Sequence, residues 1–232
     1  MGQRLVALGH EADDLEVVGE IDAGGMSLDD LGEVDCIIDF SIHEQAPQTA
    51  AFCQRTGTSL ILGTTGLTAD ERQAVEEASA HIPVVMAPNF SVGVNLLFAL
   101  VGEAAKMLGD EYDIEVVEAH HRRKVDAPSG TAVRLGEVLA DAIGRSYEEA
   151  IVCGREGQVG ARTSNEIGMS VVRGGDVVGE HTVFYLGDGE QVSIAHRATD
   201  RDIFVRGALR AARWVAQQKT PGLYDMGDVL RA

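Results

Sequence analysis

The segment SLILGTTGLTADERQAVEEASAHIPVVMAPNF, residues 59–90, decides the fold. Its first residues form a short apolar run that ends in the glycine turn Gly63-Thr64-Thr65-Gly66, the pattern of a strand buried on both faces. Residues 68–80 read as a helix, with Thr68 at the N-cap and Glu71 placed to complete a capping box. Residues 82–90 return as an apolar strand and end in Ala87-Pro88-Asn89-Phe90. Strand, helix and strand in succession is the repeat of a parallel sheet, whose strands need a crossover to run the same way.

Outward from this segment the repeat continues. VDCIIDFSI (34–42) reads as a buried strand, and HEQAPQTAAFCQRTG (43–57) as a helix with Gly57 as its C-cap. LEVVGEID (15–22) reads as a further strand, and Gln3–Ala12 as a short helix. The resulting sheet is parallel and doubly wound, and ligands in such sheets bind at the carboxyl ends of the strands. The turns at 39–41, 63–66 and 87–90 are therefore expected to line one site.

After Ser91 the texture changes. NLLFALVGEAAKML (95–108) is an amphipathic helix, DIEVVEAH (113–120) a strand and PSGTAVRLGEVLADAI (128–143) a helix. IGMSVVRG, GEHTVFYL and EQVSIAHRA then read as strands, the last two joined as a hairpin by Gly187-Asp188-Gly189. FVRGALRAARWVAQQ (204–218) is a helix with Trp214 on its apolar face. The reading is α/β: a doubly wound parallel dinucleotide-binding domain of residues 1–91 and 203–232, and a second α+β domain of residues 92–202 with a mainly antiparallel sheet.

Composition bounds the function. With 19 basic against 37 acidic residues the net charge is −18, which argues against nucleic acid or an anionic membrane as partner. An anionic substrate needs a local cluster of positive groups working against that field. Three cysteines without metal-like spacing indicate reduced thiols and a cytoplasmic setting. No apolar run approaches the length of a membrane span.

A dinucleotide-binding domain usually opens with a strand and a G-x-G-x-x-G turn. Here the chain enters its first helix at Met1-Gly2, so that strand and most of the glycine loop are expected upstream of the sequence given. Asp22 stands 20 positions beyond Gly2, the spacing of the acidic residue that takes the ribose hydroxyls.

The stretch EAHHRRKVDAPSGTA (118–132) places two histidines and a lysine just before a helix start. An adjacent histidine pair is by itself usually incidental, and PSGTA alone is a Ser-capped helix start. As neighbours on a strand, His120 and His121 face opposite sides and make poor joint metal ligands, so no metal is expected. His181, His196, Arg173 and Arg201 are open between substrate contact and pairing within the protein.

This stretch resembles the signature of the 4-hydroxy-tetrahydrodipicolinate reductase (dihydrodipicolinate reductase) family. GTTG (63–66), APNFSVGVN (87–95), VRGGDVVGEHTV and GLYDMGDVL match the same family in order, over nearly the whole chain. The resemblance implies NAD(P)H-dependent reduction of a small cyclic dicarboxylate on the diaminopimelate route to lysine, by a homotetramer. It implies His120 and Lys124 as the proton-transferring pair, and His121, Gly130 and Thr131 as substrate-binding residues. It places Gly63, Thr64, Thr65, Ala87, Pro88, Asn89 and Phe90 on the cofactor, with Asp22 on the adenosine ribose. Because Ala23 follows Asp22 where an arginine would favour a 2′-phosphate, NADH is expected over NADPH. Two rivals stand beside this reading. A semialdehyde dehydrogenase needs an activated cysteine. A truncated, non-catalytic chain would bind dicarboxylates or partners without turnover.

Overall fold

A computed structural model describes residues 1–22 and 25–232. In chain order the elements are α1 Gly2–His10, β1 Cys36–Asp39, α2 Ala46–Thr56, β2 Ser59–Leu62, α3 Ala69–Ser79 and β3 Pro83–Met86. Then come α4 Val92–Leu108, β4 Asp113–His120, α5 Gly130–Ala142, α6 Tyr147–Ala150, β5 Ile151–Cys153 and β6 Ile167–Arg173. The last are β7 Gly179–Gly187, β8 Glu190–Ala198, α7 Asp202–Val215, β9 Gly222–Tyr224 and α8 Met226–Arg231. They form two compact units, Met1–Val92 with Asp202–Ala232, and Gly93–Arg201.

In the first unit the sheet order is β1-β2-β3-β9, all parallel. Every residue of β2 is buried, as its unbroken apolar run requires. Leu60 and Leu62 join a core with Ala50, Val75 and Ala78 of α2 and α3. Ile61 faces the other way, into a core with Val205 and Ala208 of α7 and Met226 of α8. The capping box of α3 forms as read, with Thr68 N donating to Glu71 Oε2 at 2.7 Å and Glu71 N to Thr68 Oγ1 at 3.3 Å.

One expected strand is absent. Residues 15–22 form no ladder, and Asp22 is exposed rather than seated at a strand end. A strand exists only where a neighbour supplies N–H and C=O groups, and among the described residues none does so along 15–22. Ala23 lies outside the described residues.

The second unit carries a mixed sheet, β5-β6-β4-β7-β8. β4 runs parallel to β6 and antiparallel to β7, and β7 and β8 form the hairpin. Ile114 and Val116 of β4 pack with Val101 of α4 and Leu135 and Leu139 of α5. Residues Val92–Glu111, α4 and the turn after it, are long and apolar enough to cross a membrane. Yet Val94, Leu97, Val101 and Ala105 form a buried stripe, and Tyr185 Oη donates to the carbonyl of Val101 at 2.6 Å. This is the pattern of a helix that buries one stripe against its folded unit and leaves Leu96, Leu100 and Met107 exposed.

Candidate active site

The inward row of β4 is Ile114, Val116, Glu118 and His120, since alternate residues share a face. The first two are core. The third puts a carboxylate where exposure falls to 0%. Such a charge is tolerated only if it is paired and hydrogen-bonded. Arg173, at the end of β6, donates Nη1 to Glu118 Oε2 at 2.7 Å and Nη2 to Oε1 at 2.8 Å. Ser129 N donates to Oε1 at 3.0 Å, and His120 Nδ1 lies 2.6 Å from Oε2. Burial pushes the Glu118 carboxyl up, but the bonds from Arg173, His120 and Ser129 outweigh it and hold the group below the usual carboxylate range.

Ser129 joins this cluster to α5. Its Oγ accepts from Ala132 N at 3.2 Å, capping the helix, and lies 3.2 Å from His181 Nε2. His181 is buried opposite Glu118 in the β4–β7 register and stacks edge-on against His120, with ring centroids 5.2 Å apart. Burial first, and then the charge of His120, push His181 down from 6.5 to about 4. It is therefore a neutral imidazole near pH 7. Burial also lowers His196, its cross-strand partner on β8.

Of the residues read from the sequence, His120 ends β4 with 12% of its side chain exposed. Lys124 lies on the following loop, paired with Asp126 Oδ1 at 2.8 Å, and its charge also presses on His181. That loop is tied to the one after β6 through Gly174 N donating to His120 O at 3.0 Å and Arg122 N to Gly175 O at 3.3 Å. His121 lies just past the strand, with its Nδ1 buried and without a hydrogen bond. Gly130 and Thr131 are the first residues of α5, where backbone N–H groups form a ready anion site. A Cβ at Gly130 would meet nothing within 4 Å, so the chain's own packing does not demand glycine there. Among the described residues no group of three or more His, Cys, Asp or Glu is placed to hold a metal ion.

In the first unit the turns after β1, β2 and β3 meet. Asp39 Oδ1 accepts from Ser41 N at 2.7 Å and from Thr64 Oγ1 at 3.1 Å, and Gly63 N donates to Asp39 O at 2.8 Å. Ala87 N donates to Leu62 O at 3.2 Å. Phe40 stacks on Phe90 at 5.5 Å and fills the space over Gly63, where a Cβ would come within 2.2 Å of its ring. Thr64, Ala87 and Phe90 are buried in this junction, while Thr65 and Pro88 stay exposed at its rim and Asn89 is half-buried. Asn89 Oδ1 accepts from Ser91 N at 2.8 Å and so shapes the last turn.

Cys36 and Cys53 do not support a thiol nucleophile. Burial and Asp35 push Cys36 up to about 11, and burial and Asp39 push Cys53 up to about 12. Cys153 is exposed at the end of β5.

Two family profiles cover the chain: "Dihydrodipicolinate reductase, N-terminus" matches residues 1–90, and "Dihydrodipicolinate reductase, C-terminus" matches 93–230. The chain belongs to the dihydrodipicolinate reductase family. The 4-hydroxy-tetrahydrodipicolinate reductase of Syntrophotalea carbinolica is 49% identical over 253 residues, covering 99% of this chain and 94% of its own length. That of Anaeromyxobacter dehalogenans strain 2CP-1 is 51% identical, covering 99% and 93%. Among solved structures, a dipicolinate-bound dihydrodipicolinate reductase from Paenisporosarcina sp. TG-14 shares the fold, with a TM-score of 0.75 at 21% identity over 97% of this chain and 92% of its own. A diaminopimelate (DAP) dehydrogenase from C. glutamicum, in complex with DAP, shares it more distantly, with a TM-score of 0.53 at 13% identity, covering 97% and 89%.

Glu118, Ser129, Arg173 and His181 complete the cluster, and sequence reasoning did not name them as a set. One signal was present: Glu118 follows the apolar Ile114 and Val116 on the inward row of the strand that ends in His120.

Proposed function

We propose that the protein reduces 4-hydroxy-tetrahydrodipicolinate to tetrahydrodipicolinate with NAD(P)H, on the diaminopimelate route to lysine, in the cytoplasm. The observation that carries this reading is the near-half identity to reductases of that name over 99% of the chain.

The first unit holds the dinucleotide. Gly63, Thr64, Thr65, Ala87, Pro88, Asn89 and Phe90 supply backbone and small polar groups at the carboxyl edge of a parallel sheet, where such ligands bind. The rim of exposed Thr65 and Pro88 over buried Thr64 and Phe90 fits that role. Asp22 takes the adenosine ribose. When bound, the cofactor supplies hydride to the substrate ring.

The second unit holds the dicarboxylate. The N–H groups at Gly130 and Thr131 receive one carboxylate, His121 adds a donor, and Lys124 adds positive charge in a chain of net charge −18. His120 and Lys124 move the proton that accompanies hydride arrival. The imidazole suits this work because a ring nitrogen can both hold and release a proton.

Steady-state NADH and NADPH oxidation with the dicarboxylate substrate tests the reading. Turnover is expected, with kcat/KM higher for NADH because Asp22 repels a 2′-phosphate. His120→Gln and Lys124→Ala are expected to lower kcat by roughly 10²–10⁴-fold. Equal efficiencies with both cofactors remove the preference, and wild-type rates in both variants remove the mechanism. Dicarboxylate binding without any turnover favours a non-catalytic chain.

We further propose a homotetramer assembled through the second unit's sheet. Val172 and Leu186 are exposed on its strands, and the face they share carries Val117, Thr182 and Phe184 only half-buried. These residues form an apolar patch on a face that also carries Asp113, Glu115 and Glu180, and a patch of this kind is a common site of association. Sedimentation equilibrium should return four times the chain mass of 24.7 kDa, and a monomer at micromolar concentration would end the proposal.

A further inference from the structure

We propose that Glu118 is a positioning residue that fixes the tautomer of His120, so that Nε2 alone exchanges the proton, and that Gly179 keeps this nitrogen accessible. The inference rests on the reading of His120 as the group that carries the proton.

Glu118 is fully buried and receives three N–H bonds, two from Arg173 and one from Ser129 N. A carboxylate held this way stays ionised and can only accept. Its Oε2 lies 2.6 Å from His120 Nδ1, so the hydrogen between them belongs to Nδ1 whether the ring is neutral or charged. The neutral ring then presents its lone pair at Nε2, and the charged ring presents an N–H there.

The other side of the ring depends on β7. Glu180 pairs with Ala119, which sets Gly179 beside His120. A Cβ on Gly179 would lie 3.1 Å from Nε2, closer than nearly all real contacts of that kind. The φ of Gly179 is not in the left-handed region, so the backbone does not demand glycine here. What glycine provides at this position is clearance at Nε2.

The charged and titratable groups around the ring come from each neighbouring element. Glu118 shares its strand, Arg173 ends β6, His181 stacks on it from β7, and Lys124 and Asp126 pair on the following loop. In the proton step the Nε2–H bond breaks, its electron pair stays on the ring, and the proton bonds to the substrate centre next to the carbon that receives hydride. Nδ1 keeps its hydrogen and Glu118 gains none.

Long-range 1H–15N spectra of the 15N-histidine-labelled protein test this without turnover, with His120 assigned by its loss in His120→Gln. At pH values where the ring is neutral, wild-type His120 should show the Nδ1–H form. An Nε2–H form in the wild type overturns the proposal. Glu118→Gln should give a mixture of tautomers and lower kcat by roughly 10–100-fold with little change in KM. A Glu118→Gln protein with the wild-type tautomer and the wild-type kcat also overturns it. Should that variant fail to fold, Gly179→Ala serves: the Nδ1–H form should persist while the Nε2 resonance moves and kcat falls. Unchanged Nε2 and kcat in Gly179→Ala overturn the role given to glycine. Wild-type turnover in His120→Gln would instead remove the proton-carrier reading and leave the tautomer result standing.

Discussion

Arg173→Ala is expected to lower the free energy of unfolding by roughly 3–5 kcal/mol, the penalty of leaving a buried charge without its partner. Glu118 has no exposure to water, and Arg173 supplies two of the N–H groups on its oxygens. Arg173 Nη1 and Nη2 also reach the carbonyls of Val172 and Asp126, both at 2.8 Å, so its loss also loosens the loop that carries Lys124. Arg173→Lys restores a charge but not the planar fork, and should recover only part of the loss. Urea unfolding at pH 7 measures the difference. In a Glu118→Gln background the same Arg173→Ala change should cost much less, because no charge remains to strand. A loss below about 1 kcal/mol in the wild-type background would put the pair in the class of exposed salt bridges.

The same pair marks the limit of what could be read in advance. Local elements were legible where local chemistry decides them. The apolar run Ser59–Leu62 became β2, Thr68 with Glu71 became the capping box of α3, and 113–120 became β4. Residues 15–22 have strand composition but form no strand, because a ladder depends on a neighbour and not on the segment alone. At the site, His120, Lys124, Gly130 and Thr131 lie close together in the chain and so stood out together. Arg173 is 55 residues from Glu118, and His181 is 52 from Ser129. Only the register of β6 and β7 against β4 brings them to one point. Of the residues left open, Arg173 pairs with Glu118 and His181 bonds within the protein to Ser129.

Stability should fall as pH drops from about 6.5 to about 4, and most of that slope should disappear in His181→Gln. His181 titrates near 4 in the folded chain, because burial and then the charge of His120 oppose its protonation, against 6.5 in the open chain. Between those values the unfolded chain binds a proton that the folded chain refuses, so acid favours unfolding and stability rises with pH. The full shift corresponds to roughly 3 kcal/mol, all of it present above pH 6.5 and lost by pH 4. His196, also lowered by burial, acts in the same direction. His43, raised by its hydrogen bond to Glu71, acts in the opposite one, but it sits on the surface, where solvent screens it. Glu118 and Asp126 are carboxylates held low, so their contributions begin to be lost only at the acid end of the histidine window, near 4.5 and 3.8, and continue to fall below it. Urea midpoints at pH 4.5, 5.5 and 6.5 sample the histidine window. The wild type should lose stability steadily across them, whereas His181→Gln, which keeps a polar side chain facing Ser129 but cannot titrate, should lose far less. An equal slope in both proteins would mean that the proton uptake driving acid unfolding lies on other groups, and that His181 accepts its proton in the folded state.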